Sequence, residues 1–531
     1  MKALDIPADG WEGLRKHWRA DMLSGFLVFL LALPLSLGIA KASEFPPAMG
    51  VLTAMIGGLL VSLLAGSRLT IKGPAAGLIT LCAGAVMEFG GGMTGWHMAL
   101  GAMLVAGLLQ IAFGFLRFGT LTDFFPHSAV HGMLAAIGLI IFAKQIHVLL
   151  GIDPATLKGV GLIGLYQAIP HSIANADPRV TLVGVISLVI IFGMPWVARA
   201  IPSLKKIPAP MVVLLVSVPM AIGMDFRHTT PAFDLVSIGD FWGNIGFNPD
   251  FSMISTAAFW KYVVMFLFIN CLESLLTVKA IDGLDPWRRI SNTNQDLVAV
   301  GAGNTLSAAL GGLPMISEVA RSSANVTFGA HTRWSNFFHG LFLLVAMLLF
   351  IPVIEMIPNT ALAALLISVG YRLASPHEFF KTYKIGPEQL VVFVITIVVT
   401  ISTDLLMGVG AGILTKMVFL VFHRVPLNNF FKARYQSQET PSGVQIQVQG
   451  SALFSNLLSF KKLFSRLDTS KSIQIDFTQA HLVDHTFMEF LHHWQEECSH
   501  AGGSLTLVGF DRFDAFSSHP LAARKIRPSM A

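Results

Sequence analysis

From Leu23 to Phe422 apolar residues recur in long runs, and beyond His423 they shrink to short alternating stretches. The long runs predict membrane-spanning helices at roughly 23–41, 47–65, 74–88, 96–115, 127–149, 180–200, 209–224, 257–279, 296–311, 317–329, 336–354, 360–371, 388–402 and 404–422. Two of these fourteen segments, 74–88 and 317–329, are too short to cross about 30 Å of hydrocarbon at about 1.5 Å per residue. They read as half-helices. Past Pro441-Ser442-Gly443 the period changes. Val444, Ile446 and Val448 alternate with glutamines, Ile473, Ile475 and Phe477 repeat that pattern, and Leu505, Leu507 and Val508 follow it more weakly. An amphipathic stretch from Phe487 to Cys498 lies between the last two, which predicts a small α/β domain. The expected organisation is an N-terminal segment at 1–22, a transmembrane domain at 23–424, a linker at 425–442 and the α/β domain at 443–531.

The membrane part carries an internal echo. Phe29-Leu30-Leu31, Ser36-Leu37 and Lys41-Ala42 in the first segment match Leu267-Phe268-Ile269, Ser274-Leu275 and Lys279-Ala280 in the eighth, at an offset of 238. Pro74 and Pro314, before the two short segments, lie 240 apart. An odd number of spans per half requires the second half to enter from the opposite side. The result is an inverted repeat with a broken helix at matching positions, the pattern of secondary transporters.

Composition agrees: 53% of residues are hydrophobic, 13% are charged, and mean hydropathy is +0.66. Soluble domains carry about 25% charged residues, so a single soluble domain is excluded, as are disorder and a collagen-like fibre. Cys82, Cys271 and Cys498 have no CxxC spacing and suggest neither a disulfide framework nor a zinc site. A net charge of +5 gives no reason to expect nucleic acid as a partner. The first 20 residues lack an apolar core, so no signal peptide is expected. With the N-terminus in the cytoplasm, alternate loops collect Arg68 with Lys72, Arg117, Arg199 with Lys205 and Lys206, Arg288 with Arg289, Arg333, and Arg372 with Lys381 and Lys384. The opposite loops hold Lys41, Lys158, Arg179 and Arg227. That bias predicts both termini in the cytoplasm, and the expected location is the inner (plasma) membrane.

Chemistry is expected where the short segments begin. A half-helix ending at mid-membrane aims unpaired N–H groups and partial positive charge into a cavity, and two facing ends make an anion site. Gly73, Pro74, Ala75 and Ala76 form one such end, with Pro74 expected at the first helical position and small neighbours allowing close approach. Ser317, Glu318, Val319 and Arg321 form the other, with Ser317 expected as the N-cap. Arg321 is costly in hydrocarbon and reads as a fixed cation facing the anion. Glu318 would favour the helix dipole but repel substrate, unless it pairs with Arg321 or takes a proton. Glu273, inside an apolar run, shares a helix face with Asn270 and Thr277, so it can hold a proton or coordinate Na⁺ with hydroxyl oxygens. Glu273, Thr277 and Ser317 are the expected cation-coupling residues.

Other features carry less. His127 and His131 have no carboxylate near them in sequence and read as helix-start histidines, while His481, His485, His492, His493, Cys498 and His500 match no zinc template. Gly90-Gly91-Gly92 reads as an external turn, and no GxSxG, HExxH or Walker motif occurs. Neither an enzyme nor a cofactor or metal site is expected, Na⁺ as coupling ion aside.

Glu273-Ser274-Leu275-Leu276-Thr277, Asp282-Gly283, Asn294-Gln295-Asp296-Leu297 and Gly301-Ala302-Gly303-Asn304 resemble the eighth-to-ninth-helix signature of the SulP family of anion transporters. Gly311-Gly312-Leu313-Pro314, Ala320-Arg321-Ser322 and Asn325 resemble its tenth-helix signature, and residues around Ile475-Asp476-Phe477 and Val483-Asp484 are similar to a STAS domain. The resemblance implies a polytopic α-helical membrane protein of 14 transmembrane segments in a seven-plus-seven inverted repeat, split into core and gate domains, with a small cytoplasmic α/β STAS domain. It implies an anion site between the third and tenth helix ends, elevator-like movement and homodimers in the bilayer. It places Glu273 and Thr277 on the cation ligands of Na⁺-coupled bicarbonate members, and Arg321 on the basic position of the animal relatives. Glu318 departs from the family's small neutral residues, Lys72 adds a cation before Gly73, and His485-Thr486 replaces a phosphorylatable serine pair.

The sequence thus predicts a secondary active transporter of a small inorganic oxyanion, bicarbonate or sulfate, coupled to Na⁺ or H⁺, with a cytoplasmic regulatory partner at the STAS domain. The alternatives are a membrane-anchored anion sensor signalling through that domain, or a chloride or dicarboxylate exchanger.

Overall fold

The computed structural model describes residues 6–120, 126–157, 160–201, 207–229, 235–239, 241–287, 289–403, 405–440, 443–464, 466–500 and 502–527. Lys158, Lys205, Lys206, Arg288 and the Pro441-Ser442 break fall outside the described residues, as does the side chain of His500. The chain forms two compact units, Met1–Gly119 with Ile137–Arg372, and Thr120–Ala136 with Leu373–Ala531.

In the first unit the leading helices are α1 (Gly10–Ala42), α2 (Pro47–Leu64), α3 (Ile79–Glu88) and α4 (Gly92–Phe115). Helix α5 (His127–Leu149) follows, its residues up to Ala136 belonging to the second unit. Then come α6 (Leu162–Ala174), α7 (Pro178–Ala200), α8 (Ala209–Gly223), α9 (Ala257–Leu284), α10 (Thr293–Ala309), α11 (Val319–Thr327), α12 (Trp334–Leu349) and α13 (Asn359–Leu373). Among the described residues, seven helices of the whole chain are long and apolar enough to cross a membrane, and the shorter apolar ones lie on predicted segments.

The helix that holds the first predicted span begins earlier, at Gly10, capped by the Asp9 carboxylate, because nothing between Gly10 and Met22 breaks a helix once Asp9 takes the Gly10 N–H at 2.9 Å. Its 33 residues span about 50 Å, and near its start the Trp11 ring lies 5.3 Å from that of Trp334. Helix α6 has no predicted counterpart, because polar Gln167, His171 and Ser172 dilute its apolar face.

Small residues set the packing, as is usual where lipid offers helices no hydrophobic gain from association. Gly25 of α1 lies so close to α12 that a Cβ would stand 2.5 Å from the Ser335 carbonyl. Beside it, Ser24 donates to Asn325 Oδ1 at 2.8 Å.

The decisive element is a two-stranded antiparallel ribbon, β1 (Ile71–Pro74) against β2 (Met315–Glu318), with Ile71 opposite Glu318 and Pro74 opposite Met315. Backbone groups at membrane depth must be satisfied internally, and these two extended stretches satisfy each other. Gly73 is extended because it precedes a proline.

The second unit holds α14 (Pro376–Ile385), α15 (Pro387–Ser402), α16 (Leu405–Phe422) and a six-stranded sheet. Its strands are β3 (Arg434–Thr440), β4 (Gly443–Ala452), β5 (Ser472–Val483), β6 (Ser504–Val508), β7 (Phe513–Ala515) and β8 (Arg524–Ile526), ordered β3-β4-β5-β8-β7 with β6 beside β5. Strands β4, β5 and β6 run parallel, and α17 (Leu457–Phe464) and α18 (His485–His500) bury Phe460, Phe464, Phe487 and Leu491 on Ile446, Ile473, Ile475 and Phe477. The predicted strands and helix are all present. Strand β3 lies in the stretch read as linker, where Gln and Glu on an edge strand hid its alternation.

Within this unit the α5 histidines do meet carboxylates, which sequence separation concealed. His127 Nε2 lies 3.7 Å from Glu489, and His131 Nδ1 lies 3.7 Å from Glu378. Asp484 caps α18, its Oδ1 accepting from the Phe487 N–H at 2.8 Å and its Oδ2 from the Phe454 N–H at 2.7 Å.

Candidate functional site

The β1–β2 ribbon brings the starts of α3 and α11 to one place. Pro74 closes β1, Ala75 is extended, and a 3-10 turn at Ala76–Leu78 leads into α3. Pro74 therefore does not open the helix, as the sequence suggested; ribbon pairing with Met315 holds it in the strand. Ser317 likewise belongs to β2, and the cap of α11 is Glu318, whose Oε2 accepts from the Arg321 N–H at 2.6 Å. Ribbon pairing extends the chain one residue further than expected, so the cap moves one residue on.

With its side chain turned inward, Ser317 joins a buried polar network. Its N–H donates to Ser274 Oγ at 3.2 Å, and its hydroxyl lies 3.3 Å from both Ser274 Oγ and Asp296 Oδ2. Asp296 Oδ1 accepts from the Ser67 N–H at 3.2 Å, the Ser67 hydroxyl at 2.7 Å and Lys72 Nζ at 3.0 Å. Lys72 also donates to Ser67 Oγ at 2.6 Å and to Thr70. An ammonium has three donors, and all three are used here. Lys72 thus belongs to no loop and adds no cation for substrate; it locks β1 to α10. Asp296 and Ser274, which sequence reasoning marked only as parts of a signature, are the residues that tie this network together. A carboxylate opening an otherwise apolar span was the available signal.

Glu273 and Arg321 are placed differently. Glu273 is buried, with its carboxylate against the first turn before α3: a Cβ on Gly77 would stand 2.3 and 2.4 Å from its two oxygens. Among the described residues its Oε1 has no hydrogen-bond partner, and neither has Asn270 Oδ1 one turn back. Thr277, one turn on, is buried on the same helix. Arg321 is fully buried, with Nη1 2.6 Å from where a Gly73 Cβ would sit, and among the described residues none of its three guanidinium nitrogens has a hydrogen-bond partner. Gly73 and Gly77 are therefore glycines because a cation and an anion, respectively, occupy the space a side chain would need.

Ala75 and Ala76 are buried, whereas Glu318 is partly exposed and Val319 is 51% exposed. The second helix end is thus less enclosed than the first. The ribbon therefore gathers two helix N-termini, an orphaned buried guanidinium and an orphaned buried carboxylate. A buried group without a partner is costly, and a ligand that supplies the partner removes that cost. The first group calls for an anion and the second for a proton or a small cation.

The sequence model of the Sulfate permease family matches residues 18–396. The bicarbonate transporter BicA of Picosynechococcus sp. (strain ATCC 27264 / PCC 7002 / PR-6) is 25% identical over 414 residues, covering 76% of this chain and 70% of that protein. The chloroplastic sulfate transporter 4.1 of Arabidopsis thaliana is 23% identical over 490 residues, covering 87% and 69%. Among solved structures, the transmembrane domain of a cyanobacterium bicarbonate transporter BicA aligns with a TM-score of 0.63 at 24% identity, covering 74% of this chain and 98% of that one. The overall structure of SLC26A9 aligns with a TM-score of 0.65 at 14% identity, covering 93% and 84%. At such identities these structures establish a shared fold. The family match over residues 18–396 establishes more: this chain belongs to the sulfate permease family, as a multi-pass membrane anion transporter and not an enzyme.

Proposed function

We propose that the chain is a secondary active transporter of a small inorganic oxyanion, bicarbonate or sulfate, driven by Na⁺ or H⁺. The observation that carries this reading is the pair of orphaned charges beside the ribbon. Arg321 and the two helix N-termini supply the attraction for an oxyanion, and Glu273, with Thr277 and Ser317 near it, supplies the place where a cation or proton couples. The reading includes fourteen spans in a seven-plus-seven inverted repeat, with core and gate domains moving as an elevator. It also includes a homodimer in the inner membrane, both termini cytoplasmic, and a STAS-type C-terminal sheet that binds a cytoplasmic regulatory partner. The names of relatives support both anions, since BicA is a bicarbonate transporter and the Arabidopsis protein a sulfate transporter.

The test is uptake of radiolabelled sulfate and bicarbonate into proteoliposomes under imposed Na⁺ or pH gradients, in wild type and Glu273→Gln. The wild type accumulates one of the anions against its gradient, and the variant loses that accumulation. Absence of accumulation under every gradient overturns transport, and unchanged accumulation in the variant overturns the coupling role alone.

A further inference from the structure

The site holds one carboxylate more than the proposed coupling needs. Glu318 caps α11 through its side chain, yet the residues suited to an N-cap are Ser, Thr, Asp, Asn and Gly, so capping alone does not explain a glutamate there. It spends one oxygen on the Arg321 N–H, which leaves lone pairs on both oxygens for another donor or a cation. Glu318 is partly exposed beside the exposed Val319, whereas Glu273 is buried. The two carboxylates are close enough to repel each other, and Glu318 also acts electrostatically on Arg321.

Charge accounting then constrains what crosses. Lys72 is neutralised by Asp296 and drops out. Arg321 contributes one positive charge, and two helix N-termini contribute about half a charge each. Glu273 and Glu318 cancel these, so the site is close to neutral before any anion arrives. An oxyanion entering such a site lies beside two carboxylates; a coupled cation on each leaves Arg321 and the two helix ends, about +2 together, to balance it.

We propose that Glu318 is a second cation-coupling carboxylate, which takes up a small monovalent cation, Na⁺ or H⁺, with each anion. Two cations then accompany every anion, one at Glu273 and one at Glu318. The inference rests on the transport reading above and adds a stoichiometry to it.

The test uses the full chain in proteoliposomes with the membrane potential held at zero by K⁺ and valinomycin. Equilibrium accumulation of radiolabelled sulfate or bicarbonate is measured against imposed Na⁺ gradients, pH gradients and both together. Each coupled cation multiplies accumulation by the imposed ratio, so a tenfold gradient gives about 100-fold accumulation with two cations and about tenfold with one. If one ion serves both carboxylates, the wild type reaches about 100-fold under that gradient alone. If Na⁺ serves one and H⁺ the other, it reaches about 100-fold only under both. Glu318→Gln, which keeps a capping oxygen, falls to about tenfold. A wild-type exponent of one under every combination overturns the proposal and leaves transport standing, without need of any variant. An exponent unchanged in Glu318→Gln does the same, whereas no accumulation at all overturns both readings.

Discussion

Replacing Lys72 by methionine tests whether the ribbon is held by a buried ion pair. Lys72 and Asp296 are 0% and 1% exposed, with Nζ 3.0 Å from Oδ1. The substitution keeps the aliphatic bulk but removes the donors to Asp296, Ser67 and Thr70. Asp296 keeps only the Ser67 N–H and the Ser67 and Ser317 hydroxyls, as a buried carboxylate without a counter-charge. Breaking a buried pair from one side costs about 3–5 kcal/mol, because the stranded charge keeps its desolvation penalty. Spread over the unfolding entropy of a unit of this size, that is a fall in melting temperature of roughly 4–7 °C. Removing both charges in Lys72→Met/Asp296→Leu takes away the stranded carboxylate. It leaves only hydroxyls unpaired at about 1 kcal/mol each, so at least half the loss should return. The assay is thermal unfolding of the detergent-solubilised full chain, read by monodispersity after heating, in wild type, both single variants and the double. A loss below about 1 °C in Lys72→Met, or a double variant as damaged as the single one, refutes the assignment.

Two further outcomes follow from the same geometry. In Gly77→Ala the new methyl would stand 2.3–2.4 Å from both Glu273 oxygens, so the carboxylate must move. The cation concentration for half-maximal anion uptake should rise about tenfold or more, and unchanged cation dependence would show that Glu273 does not act from this position. In the C-terminal sheet domain, burial pushes the His485 imidazole below its ordinary value of 6.5, its Nδ1–H donating to the Leu521 carbonyl at 2.7 Å, with His127 opposing and Glu489 and Asp484 favouring the charged form. A folded pKa below the unfolded one means that stability is full above about pH 6.5 and is lost as pH falls below it. Backbone amides of α18 in the full chain should therefore exchange faster at pH 5.5 than intrinsic rates predict, and His485→Gln should remove that excess.

What the sequence made legible is whatever depends on neighbours along the chain. Fourteen apolar runs each fall on a helix, and residues 74–88 and 317–329 were marked as unusual by their length alone. Val444-Ile446-Val448 and Ile473-Ile475-Phe477 announced β4 and β5 by period, because one face of each is buried. What stayed hidden depends on partners far away. The ribbon is four residues a side, too short for a period-2 signal, and it exists only because Ile71–Pro74 meets Met315–Glu318. Its formation moved Ser317 out of the cap and put Glu318 in, a one-residue shift that local propensity cannot resolve.

The same non-local logic decides which charges remain available to a substrate. A list of charged residues near the half-helix starts treats Lys72 and Arg321 alike, as two cations beside an anion site. Their surroundings separate them: Lys72 has three acceptors for three donors, and Arg321 has five N–H donors and no acceptor among the described residues. Pairing was unreadable because Asp296 lies 224 residues from Lys72, and its choice of partner is made by the ribbon. The carboxylates divide the same way, Asp296 being fully engaged while Glu273 keeps an unpartnered oxygen. A buried ion pair between two elements fixes their register, and that role suits Lys72–Asp296. Unsatisfied buried charge of both signs within one site has no structural benefit to set against its cost, so Arg321 and Glu273 are where an anion and its coupled cation are expected to be held.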